Sequence, residues 1–291
     1  MSAGMAHFAK SQNINDPERR WFSYGARASA FAGAYATQVQ DVSSMYWNPA
    51  AISFLSGNSI LWDYFQQWHG KMKSELVAVP LQLGEGNAIG FGVNATQLQM
   101  NDGFGFVHTS ALYGFDLATA TELTSTFSVG IKGTVQYGRL ENEQLWTATS
   151  AIGILYAPSP DISYGMVYSG FGGTVQYSLA NGDLALSRQS SPQNLQLGLA
   201  MRFPSSKVER TITISLANDK TFGTRGIRYN GAIEWLVTQF LALRAGYVVS
   251  PTYAGAKYGI GIHADGILLD YAISPSSLTD QFHEVTMSIL L

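Results

Sequence analysis

From residue 57 onward the chain alternates apolar and polar side chains with a period of two. In one clear stretch Phe127, Val129, Ile131, Val135 and Tyr137 take the odd positions, and Ser128, Gly130, Lys132, Thr134 and Gln136 the even ones. Successive side chains of a strand point to opposite faces, so each such run offers one apolar and one polar face. A soluble sandwich shows the same alternation. The number and length of the strands and the positions of their aromatic residues separate the two cases.

The pattern predicts about fourteen strands, near 58–68, 72–83, 87–100, 104–118, 122–138, 145–157, 161–171, 193–204, 208–217, 226–237, 240–249, 256–264, 267–274 and 282–291. Most have the ~9–11 residues that a tilted membrane-crossing strand needs. Apolar faces include Ile89/Phe91/Val93/Ala95, Leu195/Leu197/Leu199/Met201/Phe203 and Ile212/Ile214/Leu216. The opposite faces carry Gly, Ser, Thr, Asn and Gln, with Lys132, Arg202, Arg228, Glu234, Arg244 and Asp270 among them. Trp62, Trp68, Tyr113, Tyr137, Trp146, Tyr156, Trp235, Tyr247 and Tyr258 fall near strand ends, where interfacial girdles belong. Tight connections at 84–87 and 264–266 alternate with longer ones such as 172–192.

Composition agrees. The chain is 46% hydrophobic and only 13% charged, against roughly 25% charged in an ordinary soluble domain. No stretch approaches the ~18–20 apolar residues of a spanning helix. A lipid-facing chain without such helices can satisfy its backbone only as a closed barrel. The expected fold class is therefore all-β, a transmembrane antiparallel barrel in an outer membrane. Cysteine is absent and the net charge is −3. Thiolate chemistry, disulfides and a nucleic-acid partner are excluded.

Residues 1–56 differ from the rest. Residues 1–10 lack a charged start and a long apolar core, so they read either as the tail of a signal peptide or as a trimmed start. Residues 10–20 are polar and read as extended. Gly25, Ala26, Arg27, Ala28, Ser29, Ala30, Phe31, Ala32, Gly33, Ala34, Tyr35 and Ala36 form a block of mostly small residues able to lie close to a wall. Asp41 suits the cap of a short helix through Trp47, and Asn48 caps a second turn with Pro49 at its first position. A lumen about fourteen strands wide exceeds what its own side chains can fill. We therefore expect 1–56 to form a hatch inside a barrel of 57–291.

The last strand ends at the C-terminus, with Val285, Met287, Ile289 and Leu291 on its apolar face. Such an ending resembles the signal read by barrel-assembly machinery, although Phe is commoner at the last position.

Gly25-Ala26-Arg27-Ala28-x-Ala30-x-Ala32-Gly33-Ala34, then Asp41-Val42-Ser43, then Asn48-Pro49-Ala50-Ala51-Ile52 resemble the amino-terminal signature of the PorV/PorQ family. That family lies within the wider FadL-like outer-membrane transport proteins. Members usually carry Gly-Gly where this chain has Ala32-Gly33. The resemblance implies a fourteen-stranded barrel with an N-terminal hatch and two roles. PorV-like members assist type IX protein secretion, which would make secreted cargo or secretion-system components partners. FadL-like members pass hydrophobic small molecules inward through a lateral opening.

Within the hatch, Asn48-Pro49-Ala50 either shapes a conduit or anchors a capped turn. Arg27 either pairs with a lumen carboxylate such as Glu234 or Asp270 or stays solvated. The five histidines, His7, His69, His108, His263 and His283, form no helical metal pair. Gly90-Phe91-Gly92 and the glycines at 170, 172 and 173 lack a phosphate loop's context. His108 and Ser110 share a face, but same-face neighbours lie ~7 Å apart, too far for a nucleophile and its base. No enzymatic activity and no cofactor are expected. Secretion assistance leads, with hydrophobic transport as the alternative and a soluble β-protein as a third reading. The lumen-facing residues, mostly Ser, Thr, Gly and Gln, lend a greasy tunnel little support.

Overall fold

The computed structural model describes residues 24–39, 41–67, 70–101, 107–140, 143–179, 187–204, 211–251, 253–275 and 281–291. The expectations for residues 1–10 and 10–20, and for Trp68, His7 and His69, lie outside these residues, as does the side chain of His108. Three short elements come first: helix α1 (Ala26–Ala30), helix α2 (Ser44–Trp47) and a 3-10 turn, Pro49–Phe54. Strands follow as β1 (Ser59–Gln67), β2 (Met72–Gly84), β3 (Asn87–Asn101), β4 (Val107–Thr124), β5 (Phe127–Leu140), β6 (Glu143–Ser159), β7 (Ile162–Leu179) and β8 (Ser187–Ser190). The remainder are β9 (Asn194–Pro204), β10 (Thr211–Thr221), β11 (Arg228–Thr238), β12 (Leu241–Val249), β13 (Ala254–Ala264), β14 (Ile267–Ser274) and β15 (Phe282–Leu290).

Each strand pairs antiparallel with its neighbours, and β1 pairs with β15 to close the ring. The short β8 pairs only with β7, so the closed wall has fourteen strands. The backbone N–H of Leu291 donates to the carbonyl of Asn58, fastening the last residue beside the first strand. Two-residue turns gather at one end. Glu85-Gly86 and Asp265-Gly266 have positive φ at both positions, which matches the right-handed twist of a hairpin. Most connections at the other end are longer, that between Leu140 and Glu143 excepted, and β2 to β7 run 13 to 18 residues, against 8 to 11 for β9 to β15. The wall is therefore taller on one side.

Several boundaries differ from the sequence pattern: β5 begins at Phe127, not 122, and β6 runs 143–159 instead of 145–157. β4 continues to Thr124 instead of stopping at 118, because the Ala118-Thr119-Ala120-Thr121 run keeps alternating and pairs with both β3 and β5. β10 runs on to Thr221 instead of ending at 217, while the expected start at 208–210 lies outside the described residues. β7 runs past 171 to Leu179 after a bulge: Ala148 and Ala151 of β6 oppose Thr174 and Ser169 of β7. The glycines at 170 and 172, both with positive φ, absorb the two extra residues there.

The facing of the strands follows the alternation. Ile131 and Val135 are 47% exposed on the outside, while Ser128 and Gly130 are buried inside. Phe127, Tyr156 and Tyr164 form part of an outer-surface girdle near the tight turns, with ring centroids 6.4 and 6.1 Å apart. Tyr113, Tyr137 and Trp146 lie side by side near the opposite end. An apolar band between two aromatic girdles is the surface that lipid requires. Among the described residues no helix is long and apolar enough to cross a membrane.

Candidate functional site

The described part of the amino-terminal segment, 24–55, lies inside the barrel, with most of its residues buried. Its short turns bond their own backbone, as Phe31 N–H does to the Arg27 carbonyl, and the wall meets several of the polar groups left over. Gln82 of β2 donates to the Ile52 carbonyl at 2.7 Å, and Ser128 of β5 to that of Ala50 at 2.8 Å. Ser163 of β7 donates to Thr37 at 3.1 Å and Gln196 of β9 to Gly33 at 2.9 Å. Thr286 of β15 accepts from the Ala26 N–H at 2.6 Å, and Ser215 of β10 accepts from Gln38 at 2.7 Å. The inward polar face is therefore largely a docking surface rather than a wet one. Sequence reasoning grouped these residues by face and missed their role.

Glycine sets how closely the segment approaches. A Cβ at Gly130 would come within 2.5 Å of the Ala50 nitrogen. One at Gly153 would strike the Asn48 side chain, and one at Gly246 or Gly165 would strike the carbonyls of Ala30 or Ala36. No larger residue fits while the segment stays where it is.

Asn48 is fully buried at the centre of this docking. Its Oδ1 accepts from the Ala50 N–H at 3.1 Å, capping the 3-10 turn that Pro49 begins. Its Nδ2 donates to the carbonyls of Ala36 at 2.7 Å and of Ile154, in β6, at 3.0 Å. One side chain thus ties two parts of the segment to each other and to the wall. Asp41 holds α2 from two residues ahead of its cap, accepting from the backbone and hydroxyl of Ser43 at 2.7 and 2.6 Å. Gly25 has φ of 99° and faces Ser43 so closely that a Cβ would collide with it.

Arg27 pairs with Glu234, one of the two carboxylates that the sequence offered. Its Nε and Nη2 donate to both Glu234 oxygens at 2.9 and 2.7 Å. Glu234 also accepts from Arg244 at 2.6 Å, and Arg244 pairs with Asp270 in turn. Asp41 stands 3.6 Å from the other side of Arg27. The result is a row of alternating charge, Asp41, Arg27, Glu234, Arg244, Asp270, linking the inner segment to β11, β12 and β14. Tyr35 donates to Asp41 at 2.8 Å. Burial, the largest influence, pushes the Tyr35 hydroxyl well above a phenol's ordinary range, so it donates as a neutral group. Across the lumen, Lys132 lies 3.8 Å from Asp116 and 4.6 Å above the Tyr46 ring.

Toward the long-loop end the two faces exchange character. On β3, Gln97 and Gln99 point outward and Leu98 inward, the reverse of Phe91 and Gly92. The same happens at Phe65, Met72 and Phe282, which are 3%, 3% and 6% exposed and pack with Leu98 against Ala26 and Ala30 of α1. Leu112 and Leu145 also lie inside, both against Gly138. The expectation of a lumen lined mostly by Ser, Thr, Gly and Gln does not hold at this end. The signal was in the sequence as a phase reversal at the strand ends, hidden by reading each strand as one alternation.

A closed fourteen-stranded barrel whose amino-terminal segment is hydrogen-bonded to the inner wall is the class of protein that these features define. No family model matches the sequence, and no curated protein matches it. Among solved structures, the fold is similar to that of the Ralstonia pickettii toluene transporter TbuX, at TM-score 0.63 and 12% identity over 92% of this chain and 98% of that one. It is likewise similar to the P. putida toluene transporter TodX, at TM-score 0.63 and 16% identity over 92% and 99%. A Pseudomonas aeruginosa FadL homologue gives 0.62 and 11% over 91% and 98%. The shared feature is the fold; the PorV/PorQ likeness rests on the motif residues.

Proposed function

We propose that the chain is an outer-membrane protein that admits hydrophobic small molecules past an internal hatch. The observation that carries this reading is the apolar cluster of Phe65, Met72, Leu98 and Phe282, set on the lumen side at the long-loop end against α1. Apolar side chains there have no lipid to face, and their outward neighbours are polar. A hydrophobic molecule entering the mouth would replace their contacts with the hatch at little cost in apolar burial. The residues occupy one another in this structure, so the state is closed, and admission requires α1 to yield. The neighbours named toluene transporters suggest a monoaromatic hydrocarbon as the first molecule to test. The secretion reading rests on the motif at 25–53 alone.

The test is uptake of labelled toluene, and separately of a long-chain fatty acid, by cells with an intact outer membrane that lack transporters of their own. Native protein should raise uptake of at least one. Phe65→Asp, which places a charge in the cluster, should abolish the gain while the unboiled protein keeps its compact gel mobility. Uptake equal to that of empty cells for both molecules would refute the proposal.

A further inference from the structure

The outer surface of β2 to β6 changes in three steps toward the long-loop end. Val77, Val93, Phe115, Val135 and Ala148 lie in one row, linked partner to partner across the five strands. The next outward row is Glu75, Ala95, Tyr113, Tyr137 and Trp146. The row beyond that is Lys73, Gln97, Ala111, Arg139 and Gln144. Lys71 continues it on the rim. Same-face rows are ~7 Å apart along a strand. A cationic and amide row thus begins one step above an aromatic girdle, where lipid phosphates lie.

Charge is distributed by end. Among the described residues the exposed bases are Lys71, Lys73, Arg139 and Arg225, all at the long-loop end. Of the exposed acids among the described side chains, Glu85, Asp161 and Asp265 are in the tight turns, and Glu75 lies near the basic row.

We propose that the outer face of β2 to β6, through Lys71, Lys73 and Arg139, docks phosphate-bearing lipid headgroups. Lys73 and Arg139 are three strands apart, ~14 Å at ~4.8 Å per strand. That is too far to share one phosphate, so each end of the row takes its own. Gln97 between them and Gln144 beside Arg139 donate hydrogen bonds to headgroup oxygens. Glu75 offsets one of the three charges and keeps the attraction to the outer edge of the girdle.

The experiment uses quenching of tryptophan fluorescence by brominated lipids, since Trp146 stands in the girdle row beside the site. The folded protein is titrated with brominated phosphatidylglycerol or brominated phosphatidylcholine in mixed micelles, and the relative binding constant is read. Native protein should favour the anionic lipid. Each cation near a membrane surface contributes a factor of about five, so Lys71→Gln/Lys73→Gln/Arg139→Gln should lose about a hundred-fold of that preference. Inorganic phosphate at millimolar concentration should not compete. Unboiled gel mobility checks that the variant is folded. If it is not, Arg139→Gln alone should lose about five-fold. An unchanged preference in the folded variant, no preference in native protein, or full competition by inorganic phosphate would each overturn the proposal.

Discussion

Glu234→Gln tests whether the alternating charge row holds the hatch in place. The native carboxylate accepts two bonds from Arg27 and one from Arg244, and its side chain is 4% exposed. The amide keeps one acceptor and turns an N–H group toward a guanidinium. It also removes the negative charge between two cations. Breaking a buried pair by removing one partner costs about 3–5 kcal/mol. Arg27 is 15% exposed and retains Asp41 at 3.6 Å, so the lower end, about 3 kcal/mol, is the expected value. At 1.4 kcal/mol per decade, the undocked fraction of the hatch should rise about a hundred-fold. Hydrogen exchange read by mass spectrometry reports this directly. Amides bonded within the segment, such as Ser29 to Gly25 and Asn48 to Ser44, should exchange about a hundred-fold faster, with those of β3 to β6 unchanged. Arg27→Met/Glu234→Leu should recover most of the protection, because an apolar pair replaces the ionic one and Arg244 keeps Asp270. Unchanged exchange in Glu234→Gln would show that the ion pairs do not hold the segment, and faster exchange throughout the barrel would show that they hold the wall instead.

Asn48→Ala leaves the Ala36 and Ile154 carbonyls and the Ala50 N–H without their partner, at about 1–3 kcal/mol for each buried group, and should free residues 36–54 to proteolysis while the barrel stays heat-modifiable. Gly130→Val should act in the same way, because its side chain enters the space of Ala50; a gel shift and limited proteolysis together separate this from a failure of assembly. Ile131→Arg should sharply lower the heat-modifiable fraction in the membrane, since a cation at the lipid midplane costs about 2–4 kcal/mol, whereas Lys132, one residue away and facing Asp116, is tolerated as the native residue. We propose that Val285, Met287, Ile289 and Leu291 serve barrel assembly, so that Ile289→Ser/Leu291→Ser should leave most of the newly made chain unassembled in a pulse-labelled membrane fraction; normal assembly would remove them from that role.

Strand order and facing were legible because lipid and the interior make opposite demands on alternate residues, and no tertiary contact is needed to see it. Ile131 could face only lipid and Ser128 only the interior. The Arg27–Glu234 pair was legible as one of two choices, because an arginine among small buried residues needs a carboxylate. Geometry decided for Glu234, which stands where both Arg27 and Arg244 can reach it. The continuation of β7 past 171 was hidden because two glycines there read as a turn. In the structure they form a bulge, since positive φ serves either purpose.

The docking role of Ser128, Ser163, Gln196 and Thr286 was hidden for a different reason. A period of two says which side chains point inward and nothing about what meets them. A water-filled pore and a hatch with unsatisfied carbonyls both call for small polar residues on the inner face. The glycines break the tie. Water leaves no reason to exclude a methyl group at Gly130, Gly153, Gly165 and Gly246, whereas a backbone packed against the wall does. Their spread over β5, β6, β7 and β12 traces the path of the segment around the lumen. The phase reversal at Leu98 falls where the wall meets α1. Beyond the outer girdle lipid no longer selects for apolar side chains outside, and Phe65, Met72 and Phe282 stand inside against α1. A polar-lined plug beneath an apolar mouth is then a statement about two solvents. Below, the wall meets hydrogen-bonding backbone beside an apolar seam of Met45 and Ile52 against Leu61 and Leu76, and above it offers an apolar surface to the hatch's own alanines or an incoming molecule.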